Sequence, residues 1–312
     1  MKLVLVAEEA AGVQALRAVT RSGHELVAVM TSGEGKGTGS PVRDVAMQIA
    51  CATWPAEWVR DPGFAARLRA EGVDALLNVH SLFLVHPAVL AAPRWGAYNM
   101  HPGPLPEYAG LNPVSWALYR GETTHAVTIH RMGPKVDTGP IAYQSSFPIE
   151  THDTALTVSV KCAKAGLPLI SQLLTTLADD PAGVPEIPQD LCRRRYYRPG
   201  PPEAGRIGWS SPGRAVVNFV RACDYVPFRS PWGHPRTVLD GREVAIVKAT
   251  RTGEPCGAPA GTIAEATGRA ALVATDDEWV RVHRVLVDGH MVEASEVLAA
   301  GRRFDADTMP VR

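Results

Sequence analysis

Two short apolar runs near the start of the chain, residues 2–7 and 25–30, constrain the fold more than anything else in the sequence. Neither alternates with polar residues, and each is only long enough for a strand. Such runs fit strands buried on both faces, as parallel strands are. Between them Val13, Leu16 and Val19 recur at helical spacing, and Gly23 ends the segment. A strand, a helix and a second buried strand in this order predict a doubly wound, Rossmann-like α/β sheet. The turn after the first run reads Glu8, Glu9, Ala10, Ala11, Gly12 and not G-x-G-x-x-G. Carboxylates there repel phosphates, so no dinucleotide is expected.

Further along, residues 42–50 and 61–71 read as helices, the second with Asp61 as N-cap and Pro62 at its first position. Residues 74–79 form the next strand, 126–131 and 141–149 continue the sheet, and 153–177 is a long helix capped by Asp153. Residues 179–204 are rich in proline and read as a linker. Its run of arginines and tyrosines at 193–198 could grip nucleic acid or simply be solvated. Beyond it, short runs at 236–239, 243–250, 261–266, 271–275 and 279–287 are separated by turns such as Asp240-Gly241 and Asp288-Gly289. They predict a small open β-barrel. The organisation expected is a catalytic domain at 1–178, the linker at 179–204 and the barrel at 205–312.

Charge excludes a strong attraction to polyanions, because 32 Lys and Arg balance 32 Asp and Glu. The five cysteines contain no C-x-x-C pair and read as reduced thiols, not as a disulfide frame or zinc site. His125, His130 and His152 share no metal-ligand spacing and read as structural, so no metal is expected. Without a leader-like or membrane-spanning run, a soluble cytoplasmic protein with no membrane partner is expected. Residues 31–41 hold four glycines but lack a Gly-Lys-Ser/Thr ending, and read as a mobile surface loop.

The chemistry gathers in two other stretches. Residues 96–100 read as a strand that must stop near His101, since three prolines and two glycines crowd residues 97–110. Asn99 and His101 lie two apart and leave that strand from one face. Asp137 sits in a second Gly/Pro-rich turn, at 132–140. A carboxylate can hold an imidazole and raise its pKa, while an amide can donate to a developing oxyanion.

Asn99-x-His101-Pro102, then Leu105-Pro106 and Gly110, and later Val136-Asp137-Thr138-Gly139, resemble the folate-dependent formyltransferases. The resemblance is strong over about 70–150 and looser after 205. There Trp209, Asn218, Arg221, Asp224 and Pro227 are similar to that family's C-terminal domain. It implies Asn99, His101 and Asp137 as catalytic residues and 10-formyltetrahydrofolate as formyl donor. It also implies a pterin slot lined by Ser81, Leu82, Phe83 and Leu84 with Met132, Gly133, Pro134 and Lys135, although Leu82, Phe83 and Leu84 read equally well as plain core.

The reaction implied is direct attack of an amine or hydroxylamine on the formyl carbon, through a tetrahedral intermediate. Asn99 and a charged His101 would donate to its oxygen, and Asp137 would carry a proton from the amine to the departing nitrogen. The acceptor expected is a small-molecule amine. Members acting on tRNA carry an arginine- and lysine-rich segment where this chain has only Lys36 against Glu34, and arginines where it has Glu107-Tyr108-Ala109. The tRNA-directed reading and hydrolysis by water stand as alternatives.

Overall fold

The computed structural model describes residues 1–32, 40–265 and 268–305. The glycine-rich loop at 31–41 therefore lies mostly outside the described residues, as does Ala266. By its internal contacts the chain divides into two units. The first comprises residues 1–113, 124–148 and 159–197, and the second comprises 114–123, 149–158 and 198–312.

The first unit is built on a seven-stranded sheet. Its strands are β1 (Lys2–Ala7), β2 (Glu25–Thr31), β3 (Thr53–Pro55), β4 (Ala75–Val79), β5 (Gly96–His101), β7 (Thr124–Arg131) and β8 (Ile141–Pro148). A two-residue strand, β6 (Ala109–Gly110), stands apart and pairs with β9 (Tyr196–Tyr197). The sheet order is β3-β2-β1-β4-β5-β7-β8, parallel from β3 to β5 and antiparallel at β7 and β8. The winding reverses between β1 and β4. In open α/β sheets, ligands bind outside the carboxyl ends of the strands at such a point.

The helices are α1 (Glu9–Arg21), α2 (Pro41–Gln48), α3 (Phe64–Ala70), α4 (Pro87–Leu90), α5 (Pro113–Tyr119), α6 (Ala155–Asp179) and α7 (Gly213–Ala222). Helix α1 presses Ala11, Ala15, Leu16 and Val19 inward. Its Gly12 allows that approach, since a Cβ there would lie 3.0 Å from Ala7. One face of the sheet is filled by Val4, Val6, Met30 and Leu76 with Trp54, Phe64 and Leu68.

Two helix starts differ from the sequence expectation. Asp61 does not cap a helix opening at Pro62. Its carboxylate accepts the Gly63 N–H in a local turn, and α3 begins at Phe64. Asp153 spends its oxygens on the Glu150 N–H and the Thr157 hydroxyl, and α6 begins at Ala155.

The second unit carries an antiparallel sheet of β10 (Arg236–Leu239), β11 (Arg242–Pro255), β12 (Ile263–Glu265), β13 (Ala271–Ala274), β14 (Glu278–Val287) and β15 (His290–Glu293). The order is β10-β11-β14-β13-β12, with β15 also on β14. Both Asp-Gly pairs form the expected tight hairpins: Asp240 and Gly241 have φ of 53° and 74°, Asp288 and Gly289 of 49° and 80°. Strand β15, unassigned in the sequence, follows from the second hairpin. Segment 301–305 bonds to β12 through Ile263 and to β10 through Val238, drawing the sheet towards closure as a barrel.

Among the described residues no helix is long and apolar enough to cross a membrane.

Candidate functional site

Strand register assembles the polar cluster. Asn78 of β4 is level with Asn99 of β5, and Asn99 is level with His130 of β7. Residues level across a sheet share a face, so three polar side chains form one row across three strands. The row is hydrogen-bonded throughout. Asn78 Nδ2 donates to Asn99 Oδ1 at 2.9 Å, and Asn99 Nδ2 lies 3.1 Å from His130 Nε2. His130 Nδ1 is 2.9 Å from the Arg131 carbonyl, which only accepts, so a neutral ring keeps its proton on Nδ1. Its Nε2 is then bare and accepts from Asn99. Because Asn78 holds the carbonyl end of the Asn99 amide, the orientation of its NH₂ group is fixed.

Asp137 enters from the turn after β7, at φ 53°, a left-handed conformation that Asp tolerates better than most residues. One carboxylate oxygen accepts the Gly110 N–H at 2.8 Å and lies 3.7 Å from His101 Nδ1; the other lies 3.4 Å from His130 Nε2. The structure thus brings Asn99, His101 and Asp137 together and adds His130, which sequence reading grouped with the structural histidines. The only signal for it was its pairing with Asn99, and that requires the register.

Burial dominates the electrostatics. It lowers the His101 pKa below the ordinary imidazole value, outweighing the opposite pull of Asp137 and of the Tyr108 carbonyl. His101 Nε2 is 2.6 Å from that carbonyl, so the neutral ring donates there and turns a bare Nδ1 towards Asp137. The sequence reading has His101 donate to the oxygen only if its ring is protonated. The structure favours the neutral ring, because a site only 4% exposed withholds water from an imidazolium. Burial would also raise the Asp137 pKa, but His101, His130 and the Gly110 N–H outweigh it and hold the carboxyl below the usual carboxylate range. One ionised carboxylate thus faces the ring nitrogens of two imidazoles, a pocket in which a proton can be shared and passed on.

Residues 189–197, read as part of a linker, brace this turn. Gln189 Nε2 donates to the carbonyls of Asp137 at 3.1 Å and Gly139 at 2.6 Å, and the Arg194 guanidinium donates to Val136 at 3.0 Å. Tyr197 is buried, stacked on Tyr108 with ring centroids 5.4 Å apart, and β9 pairs with β6 at Gly110. Glu107 is bound to Arg193. The basic run is thus tied down against the first unit rather than loose in solvent.

Of the expected pterin-slot residues, Leu82 and Leu84 are 77% and 67% exposed, which rules them out as core. Phe83 packs on the apolar cluster beneath Arg60, whose guanidinium sits 4.7 Å from the ring, and Met132 packs on the same cluster. The Ser81 carbonyl accepts from Asn78 at 3.3 Å, and Ser81 Oγ is 3.4 Å from the Phe83 N–H. Gly133 faces open space, Pro134 and Lys135 are exposed, and the Lys135 carbonyl accepts from the Thr138 hydroxyl. Among the described residues no three His, Cys, Asp or Glu side chains gather as a metal site.

A family model described as formyl transferase matches residues 2–174, and one described as formyl transferase, C-terminal domain, matches 201–302. A methionyl-tRNA formyltransferase of Anaeromyxobacter dehalogenans (strain 2CP-C) is 31% identical over 313 residues, covering 97% of each chain. Among solved structures, an N-formyltransferase from Helicobacter canadensis, in complex with folinic acid and dTDP-3-aminofucose, superposes with a TM-score of 0.69. It is 17% identical and covers 90% of this chain and 98% of that one. HypX from Aquifex aeolicus superposes with a TM-score of 0.66 at 18% identity, over 96% of this chain and 47% of its own. At these identities the two structures bear on the fold.

Proposed function

Since the chain belongs to the formyl transferase family, we propose that it moves the formyl group of 10-formyltetrahydrofolate to an amine of a small molecule. The observation that carries this reading is the hydrogen-bonded row from Asn78 through Asn99 to His130, ending at Asp137. The folate fits the neighbouring segments. Leu82 and Leu84 offer exposed apolar side chains, Phe83 and Met132 rest on one apolar cluster, and open space lies beside Gly133. Flat heteroaromatic rings bind between such walls. Bound there, the folate supplies the carbon to be attacked.

The chain's own residues then have distinct tasks. Asn99 Nδ2 carries two protons, and one of them engages His130. The other donates to the formyl oxygen as negative charge builds on it. Such a donor, fixed in advance by Asn78, costs no reorganisation when the charge appears. Asp137 takes a proton from the attacking nitrogen, directly or through water, and passes it to the nitrogen that departs. The Nδ1 of His101, 3.7 Å from the carboxylate, shares the proton during that transfer, while His130 keeps its hydrogen bond with Asn99. No covalent bond to the enzyme is needed.

The balanced net charge and the carboxylates Glu8 and Glu9 after β1 support a small, cationic acceptor over a polyanion. The tRNA-directed reading draws on the methionyl-tRNA formyltransferase relative, which aligns along nearly the whole chain. The test is tetrahydrofolate release from 10-formyltetrahydrofolate alone, with a panel of small amines, and with charged tRNA, each mixture analysed by mass spectrometry. Release with an amine, together with its formyl adduct, supports the proposal. Formylation of Met-tRNA that weakens steeply with salt replaces it with the second reading. Rapid release in water alone makes the enzyme a hydrolase.

A further inference from the structure

At the point where the winding of the sheet reverses, the structure holds a second imidazole–carboxylate pair that the steps above do not use. Strand register places it beside the cluster. Ala7 is level with Val79 and Val79 with Met100, so the next residues along the three strands are Glu8, His80 and His101. The Glu8 N–H donates to the Val79 carbonyl, which holds this corner together. His80 Nδ1 lies 3.4 Å from a carboxylate oxygen of Glu9. Both residues are in the left-handed region, at φ 58° each, although neither is glycine. Such strain concentrates at functional sites. The His80 side chain is 19% exposed, yet its Nε2 is buried and has no hydrogen-bond partner among the described residues. By contrast, the Glu9 side chain is 77% exposed and within reach of anything arriving from solvent.

We propose that His80 is the base that deprotonates the acceptor, with Glu9 as its positioning residue. This inference rests on the amine-acceptor reading. An alkylamine reaches the site as an ammonium ion, which has no lone pair and cannot attack. Glu9 accepts the Nδ1–H of His80 and leaves Nε2 bare. The ammonium gives one proton to Nε2, and the freed pair forms the new C–N bond while the carbonyl π pair moves to oxygen. Asp137 takes a second proton from the attacking nitrogen and delivers it to the departing folate nitrogen as its bond to carbon breaks. The products are the formamide, tetrahydrofolate and one proton, released from His80 to solvent. His80 and Asp137 thus handle different protons. The charge of Glu9 also favours an acceptor that arrives as a cation. The hydrogen bond from His80 lowers the Glu9 carboxyl pKa and so keeps that charge in place.

Two probes separate this role from others. Hydroxylamine is already neutral at neutral pH, whereas ethanolamine is an ammonium ion. His80→Asn is the informative variant, because Asn tolerates a positive φ better than most residues. Turnover with ethanolamine should fall on the order of a hundredfold, while turnover with hydroxylamine should stay within about threefold. Glu9→Ala should show the same selectivity more weakly, and Glu9→Gln, which keeps an acceptor oxygen, should recover part of the loss. Equal losses with both probes, or a raised KM for the formyl folate alone, would make His80 a folate contact and overturn the inference. A second measurement is independent of turnover. Nitrogen-15 NMR of the wild-type enzyme at neutral pH should show a His80 ring protonated on Nδ1 and bare at Nε2, and a proton on Nε2 would overturn the inference. If the wild-type enzyme formylates neither probe, the amine reading fails instead, and the NMR result still decides the state of His80.

Discussion

Two buried carboxylates, Asp137 in the first unit and Glu278 in the second, are held in opposite ways. Glu278 is saturated. Its oxygens accept from Arg251 Nε at 2.5 Å and from the Gly253 N–H at 2.8 Å, and its Cγ would lie only 2.5 Å from a Cβ on Gly213. Asp137 has one short contact, with the Gly110 N–H at 2.8 Å, and two longer ones with imidazoles at 3.4 and 3.7 Å. The first carboxylate locks a loop. The second is ionised, buried and under-bonded, with capacity left for a proton in transit. Burial alone does not mark a functional carboxylate; unspent hydrogen-bonding capacity beside titratable partners does.

That contrast breaks most visibly on substitution. Asp137→Asn should lower kcat by roughly a hundred- to ten-thousandfold, as for loss of a positioned acid–base group, with little change in denaturation midpoint. Glu278→Gln should do the reverse, keeping kcat and losing about 2 kcal/mol of stability as its charge-assisted hydrogen bonds weaken. Paired steady-state kinetics and urea titrations would decide both. If both variants lost activity and stability together, the distinction between the carboxylates would collapse.

Gly110→Ala probes the frame around Asp137. A Cβ there would sit 2.3 Å from the Tyr197 carbonyl oxygen, at φ 93°. A loss of about 3 kcal/mol is expected from strain and displacement of residues 196–197, with a lower kcat because the same residue donates to Asp137. His125 sharpens the electrostatic side. Burial, partly offset by its hydrogen bond to the Pro102 carbonyl at 2.9 Å, takes its pKa from 6.5 to about 4. The unfolded chain therefore binds a proton that the folded chain refuses. Stability from this residue is complete above about pH 6.5 and declines by about 1.4 kcal/mol per unit towards pH 4, roughly 3 kcal/mol in all. His125→Gln should flatten the acid limb of a stability–pH curve without adding an acid limb of its own. The smallest effect is expected at Asn78. Replacing it with Leu relieves an Oδ1 that has no partner among the described residues but removes the donor to Asn99 Oδ1 and the Ser81 carbonyl, so stability should fall by only about 1 kcal/mol. Asn99 would lose the neighbour that fixes its orientation, and kcat should fall about tenfold.

What the sequence makes legible follows from the range of the interactions involved. The buried runs of β1 and β2 and the two Asp-Gly hairpins are local, and they read correctly. Asn99 and His101 are visible because one strand end carries both. His130 is not, because its place beside Asn99 depends on the register of two strands thirty residues apart. Asn78 is hidden for the same reason, two positions inside a run that otherwise reads as apolar core. The neutral state of His101 depends on burial, which no motif records. Residues 189–197 read as a linker because proline-rich composition says nothing of two residues pairing with Ala109 and Gly110.

Asn99 stands at the centre of the row, accepting from Asn78 and donating to His130. The deciding measurement is kcat of Asn99→Ala with 10-formyltetrahydrofolate and an accepted amine, taken alongside its thermal midpoint. A loss on the order of a hundred- to a thousandfold with the midpoint almost unchanged is expected if Asn99 donates to the developing charge. A rate near that of the wild type would contradict the assignment of this row as the site of formyl transfer.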